Sequence, residues 1–203
     1  MDEMKLNVVV VDSTREDVTN KVTRPVCGNL VAVLRWTATL ADEQGQRMDV
    51  HKYISDTDTL PMSLDEAWEQ AKENTRKMYS FEEPRSMVDV IQMGGMDVPE
   101  IPGAEMPPMP QVFICWGNAG AQLMFPDRLE EMRKAVGCDE LYIAPTSRHE
   151  LMAGVQETMV SIFEMLGFMN DNVVDPHEVL SDQCFKYADG QLTTCLLTRA
   201  MIG

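Results

Sequence analysis

Apolar and polar residues alternate most strictly between residues 30 and 40. Leu30, Ala32, Leu34, Trp36, Ala38 and Leu40 fall on one face of an extended chain; Val31, Val33, Arg35, Thr37 and Thr39 fall on the other. That period of two predicts a β-strand. Residues 42–46, with Gly45 for a positive φ, supply a turn, and residues 47–54 return as the second arm of a hairpin. His51 lies in that arm and reads as a partly exposed strand histidine. Upstream, residues 6–11 form a short apolar run bounded by Asp12 and Ser13, as a buried strand would. Residues 13–29 read as a polar connector with room for one helical turn, and Arg24-Pro25 argues against helix there.

At residue 63 the period lengthens. Ser63 and Glu66 have the spacing of a capping box, and Leu64, Ala67, Trp68, Ala71, Thr75 and Met78 recur at three- and four-residue steps. A helix over 63–79 follows, expected to pack Trp68 and Ala71 against the first hairpin. Residues 86–93 predict a shorter helix with Met87, Val90 and Ile91 inward. Residues 94–111 hold five prolines and three glycines, with methionines at 96, 106 and 109. Such a stretch sustains neither ladder nor helix and reads as an extended loop, the most mobile internal segment.

Beyond it the pattern predicts strands at 112–116 and 120–125, joined by Gly117-Asn118. A helix over 127–136 with Leu129, Met132 and Val136 inward stops at Gly137, and a strand covers 141–144. A helix over 156–166 presents Val155, Met159, Ile162, Phe163 and Leu166 on one stripe and ends at Gly167. Asp175-Pro176 opens a helical turn through residue 180. Strands at 184–187 and 192–198 close a hairpin around Asp189-Gly190. This order predicts an α+β fold, mostly antiparallel sheet with helices packed on it, in a single domain over 1–203.

Composition narrows the function classes. The 203 residues are 44% hydrophobic, enough for a real core, and carry a formal net charge of -16 with a pI near 4.5. That sign repels nucleic-acid phosphates and anionic lipid, so direct nucleic-acid binding is disfavoured. A protein partner is the expected contact, and an acidic surface can also occupy the basic groove of a nucleic-acid-binding enzyme. No apolar run approaches the roughly 20 residues of a membrane span, and the acidic N-terminus is not a signal peptide. Cys27, Cys115, Cys138, Cys184 and Cys195 are far apart, odd in number and form no CxxC. They read as free thiols of a reducing cytoplasm.

The most chemical-looking cluster is Ser147, His149 and Glu150, the residue types of a nucleophile, a base and its orienter. In a strand, however, 147 and 149 share a face and 150 points away. The competing reading is structural: Thr146 and Ser147 bond backbone groups after Pro145, while His149 and Glu150 satisfy a neighbouring loop. His149-Glu150 begins an HExxH, but position 153 is alanine, so a second metal ligand is missing. His177 reads as a helix-start residue. No phosphate loop is present, and no cofactor or metal is expected.

Six segments, LVAVLRW, SLDEAWEQAKENT, SMVDVI, AGAQLMFPDRLEEM, LYIAPTSRHE and VLSDQCFKY, cover roughly residues 30–190. In this order they resemble an uncharacterised family of bacterial proteins, recurrent in gut-type Gram-positive genomes and their mobile elements. The resemblance implies a longer α+β segment before the hairpin in relatives, where about 30 residues stand here. It implies no activity. The sequence therefore points to a cytoplasmic, non-enzymatic accessory protein acting through protein contacts. The alternatives are a hydrolase using Ser147 and His149, or an acidic nucleic-acid mimic that inhibits a nucleic-acid-binding enzyme.

Overall fold

In the computed structural model, the described residues are 4–41, 47–93, 95 and 109–195. They form two compact units, Met1–Ser80 and Phe81–Gly203. Both are built on antiparallel sheet, and together they give an α+β fold.

Unit 1 is organised on β3 (Leu30–Ala41), the strand whose alternation is strictest. β1 (Lys5–Asp12) pairs along one side of it, from Lys5↔Thr37 to Asp12↔Leu30. The other side is shared. β2 (Thr23–Cys27) pairs with the first residues of β3 and β4 (Arg47–Tyr53) with the rest. The hand-over falls at Leu34, whose N–H donates to Val22 O while its carbonyl accepts from Ile54 N–H. β2 corrects the expectation of a plain connector over 13–29. Pro25 hid it, yet a proline is tolerated on an edge strand, where its missing N–H breaks no ladder on the open side.

α1 (Leu64–Met78) starts at the predicted capping box, with Ser63 and Glu66 bonding each other's backbone N–H. Its stripe lies along β1 rather than against the hairpin. Thr75 Oγ1 accepts from Val8 N–H at 2.8 Å and donates to Ala71 O, and Asn74 donates to Leu6 O at 2.8 Å. The helix thereby seals the free edge of β1, which would otherwise present unpaired backbone groups. Trp68 and Ala71 are buried, while Leu64, expected inward, is 48% exposed.

Unit 2 carries six strands in the order β10-β9-β7-β8-β6-β5. These are β5 (Arg85–Ser86), β6 (Gln111–Ile114), β7 (Leu141–Ala144), β8 (Glu150–Gly154), β9 (Cys184–Ala188) and β10 (Gln191–Cys195). One face, with Val112, Tyr142, Ala144, Met152 and Cys184, packs Met87 of α2 (Met87–Met93) and Ile162 and Leu166 of α4 (Met159–Asn172). α3 (Pro126–Val136) also packs on β7 and β8, with Leu129 and Met132 buried. Gly154 is required by the approach of α4: a Cβ there would lie 2.3 Å from Thr158 Oγ1 and 3.0 Å from Ile162 Cδ1. Asp189 and Gly190 both take positive φ, 52° and 74°, making the tight hairpin turn their sequence predicts.

Three expectations in unit 2 are corrected. Residues 119–124 form a 3-10 turn rather than a strand, with residues 119–123 all buried, so no face is free to alternate. β8 was hidden because Leu151–Gly154 is buried on both faces. α4 begins after a 3-10 turn at Gln156–Thr158 and runs through Gly167 to Asn172. Nothing lies within 4 Å of a Cβ at Gly167, and a mid-helix glycine costs only about 1 kcal/mol. The loop expected at 94–111 lies outside the described residues except at 95 and 109–111, as do the turn at 42–46 and the strand end beyond Cys195.

Candidate functional site

Pro145 cannot donate to a ladder, so β7 stops before it and the chain turns. Thr146 Oγ1 donates to the Glu150 backbone O at 3.3 Å and to its Oε1 at 3.0 Å. Ser147 Oγ accepts from the His149 backbone N–H at 3.1 Å. Both hydroxyls belong to a turn that joins β7 to β8, and both residues are buried. Ser147 bridges to Val179, and Arg148 N–H donates to Glu178 O at 3.0 Å, which ties the turn to the segment before β9.

A second segment wraps the same turn. After β6, Cys115 N–H donates to His149 O at 2.7 Å and Ala119 N–H to Arg148 O at 2.8 Å. Between them Gly117, with φ of 79°, turns its N–H onto His149 Nδ1 at 2.8 Å. With Nδ1 an acceptor, the ring proton sits on Nε2, which faces Glu178 Oε1 at 3.2 Å. The imidazole is thus fixed from two directions.

Trp116 lies on top of this arrangement. Its ring centroid is 5.5 Å from that of His149 at an interplanar angle of 50°, and its Nε1–H donates to Glu82 Oε1 at 2.7 Å. Glu82 is itself positioned: its N–H donates to Ile114 O, and Arg85 donates to its other carboxylate oxygen at 3.2 Å. Yet Trp116 is 65% exposed. A large aromatic ring is therefore held at the surface by groups from two other segments.

The structure brings Ser147, His149 and Glu150 into one turn but does not pair them as nucleophile, base and orienter. The Ser147 hydroxyl meets backbone, both imidazole nitrogens are taken by Gly117 and Glu178, and Glu150 reaches back to Thr146. His149 does anchor a neighbouring loop; Glu150 serves its own turn instead. Burial pushes the adjacent Cys115 thiol up to about 11, against smaller opposing pulls from Arg128 and the Gln122 amide, so it is protonated at neutral pH. Burial and then the neighbouring Cys195 push Cys184 up to about 12. Among the described residues no group of three or more His, Cys, Asp or Glu stands placed to hold a metal ion, and no helix is long and apolar enough to cross a membrane.

Sequence reasoning missed Trp116 and Glu82. Trp116 read as a strand end before a tight turn, and its partner lies 34 residues away, beyond any local pattern. A fixed exposed ring with a carboxylate at its polar edge is a rigid surface with one apolar and one polar side. In comparisons with known proteins, the model of a family of unknown function (DUF5688) matches residues 2–189, taking in β1 and β2 as well as the six motif segments. No curated protein and no solved structure matches the chain.

Proposed function

The chain belongs to this family of unknown function, and we propose that it is a non-enzymatic protein-binding module whose contact centre is Trp116. One observation carries the reading: a tryptophan 65% exposed whose ring is nonetheless fixed by His149 and Glu82. Binding hot spots are enriched in tryptophan, and a ring already held in place loses little conformational freedom on contact. The setting is a cytoplasmic accessory protein of bacterial or mobile-element origin.

Charge supports a basic partner. Residues 81–203 carry 19 aspartates and glutamates against 7 lysines and arginines, while residues 1–80 carry 14 against 10. The acid excess is thus concentrated in the unit that presents Trp116. The same excess favours, as a second reading, a nucleic-acid-binding enzyme as the partner, with unit 2 occupying its basic groove.

Affinity capture from extracts of the source bacterium, with wild-type and Trp116→Ala bait, tests both. A partner held by the wild type and weakened at least about tenfold by Trp116→Ala is the expected result, that being the loss at a hot spot of ~1.4 kcal/mol or more. The melting temperature of the variant should stay within about 2 °C of the parent, as for a surface substitution. A partner retained equally by both baits would remove Trp116 from the contact. Under the second reading the partner carries a nucleic-acid groove and duplex competes it off.

A further inference from the structure

Unit 1 contains a cleft of about 320 Å³ that the reading at Trp116 does not use. It is lined by Val22, Ile54, Leu60, Met62 and Leu64, with Ser55, Asp56 and Asp58 also on its wall. That volume is at the small end of the roughly 300–1,000 Å³ range of ligand clefts, the size for a few side chains rather than a whole domain face. We propose that this cleft docks a partner segment in which an aliphatic side chain stands beside a lysine or arginine.

The apolar half of the recognition follows from α1. Its buried stripe runs through Ala67, Trp68, Ala71 and Thr75, and Leu64 continues the same stripe one turn earlier. Leu64 is left 48% exposed in the cleft, facing an apolar surface completed by Ile54, Val22 and Leu60. Met62 contributes a side chain that adapts to irregular apolar shapes.

The charged half follows from the opposite wall. Asp56 and Asp58 are exposed, and among the described residues no lysine or arginine lines the cleft. Asp58 has Lys52 at 3.9 Å, whereas the contact of the Asp56 carboxylate is the Ser55 hydroxyl at 3.3 Å. Asp56 is thus the carboxylate with a charge to offer. An apolar floor under a carboxylate with no ion pair among the described residues complements an aliphatic group next to a cation, and repels an acidic segment.

The walls are built before any ligand arrives. Val22 N–H donates to Ile54 O at 2.9 Å, Asp56 N–H to Asn20 O at 3.0 Å, and Ser55 N–H to Asp58 Oδ2 at 2.9 Å. The Ser63–Glu66 capping box fixes the start of α1 on the other side. Binding therefore requires little reordering of the cleft.

The test uses the full chain with ¹³C-labelled methyl groups and two synthetic peptides, acetyl-Gly-Leu-Lys-Arg-Gly-amide and acetyl-Gly-Leu-Glu-Glu-Gly-amide. The basic peptide should shift the methyl signals of Ile54, Leu60, Met62 and Leu64 saturably, and the acidic peptide should not. Asp56→Asn, which leaves the Asp58 bond to the turn intact, should weaken the basic peptide by about three- to tenfold, the scale of losing one charge contact. Leu64→Ser should weaken it as well. Trp116→Ala should leave this titration unchanged, so the outcome is independent of the reading at Trp116. The proposal is overturned by no saturable shift at these methyls, by equal responses to the two peptides, or by full affinity in Asp56→Asn. Concentration-dependent shifts at these methyls without peptide would assign the cleft to a second copy of the chain and overturn it equally.

Discussion

In unit 1 the middle of the sheet holds Asn7, Arg35 and Thr37, all buried, whereas the inner strands of unit 2 hold runs such as Leu141–Ala144 that are apolar as well as buried. Unit 2 keeps its buried polar residues, Asn118, Gln122, Thr146, Ser147, Thr158 and Ser181, out of the strands, in loops and 3-10 turns. In unit 1 the Arg35 guanidinium donates to Asn7 Oδ1 at 2.8 Å and to Tyr79 OH at 3.3 Å. Asn7 in turn donates to Thr37 Oγ1 at 2.6 Å, which meets exposed His51 at 2.8 Å. Asn7 pairs with Arg35 in the β1–β3 ladder, so a one-residue slip would bury the guanidinium against apolar neighbours. Unit 1 thus has a polar device that specifies register, while unit 2 relies on shape. The cost of the device is that each member depends on the others.

The two units should be equally intolerant of losing their largest buried rings. Trp68→Ala in unit 1 and Phe185→Ala in unit 2 remove side chains 1% and 0% exposed. Each is expected to cost about 3–5 kcal/mol. Denaturant unfolding, with hydrogen exchange reporting the units separately, measures the loss. A value under about 1 kcal/mol for either would mean that its unit is not held by the packing described.

Polar substitutions should separate the units. Asn7→Leu leaves a buried guanidinium short of an acceptor and is expected to cost about 3 kcal/mol. Adding Arg35→Met to it should restore part of that loss, because the group needing the acceptor is gone. Thr146→Val in unit 2 strips one hydroxyl from a turn and should cost about 1 kcal/mol. Equal losses for Asn7→Leu and Thr146→Val, or no recovery in the double variant, would abolish the contrast.

The same contrast explains what could be read from the chain. β3 alternates in residue type along its length, and its hairpin with β4 was legible for that reason. Its later residues invert the expected faces, however: polar Arg35 and Thr37 are buried, while Trp36 and Ala38 are half-buried and Leu40 is exposed. β8 and the 119–124 turn are buried all round, so their sequences carry no period that distinguishes strand from turn. β2 was hidden by Pro25, a residue that excludes a central strand but not an edge. Ser63, Glu66, Gly137 and Asp189-Gly190 were legible because capping and turn chemistry are local. The candidate site was half legible. The turn at 145–150 follows from Pro145 and its two hydroxyl neighbours, but Trp116, Glu82 and Glu178 join it only through the fold.

A similarly small stability effect is expected at His149, the residue on which structural and catalytic roles diverge most. Its ring accepts from Gly117 N–H, faces Glu178 and supports Trp116. The side chain is 32% exposed, so water can replace part of what His149→Ala removes. The expected loss is therefore about 1 kcal/mol, at the modest end for a backbone N–H losing its partner. The larger consequence is for Trp116, whose ring keeps Glu82 but loses its neighbour. The indole resonance of Trp116 should broaden or shift in His149→Ala and remain in place in Ser147→Ala, whose hydroxyl serves the turn and not the ring. Partner binding should weaken in the first variant and persist in the second. A hydrolase would give another pattern: both variants would abolish turnover of an ester or peptide substrate, because nucleophile and base fail together. Melting curves, the indole signal and a screen of generic hydrolase substrates on the two variants separate these outcomes, and loss of a shared activity with an undisturbed Trp116 would sink the anchoring role.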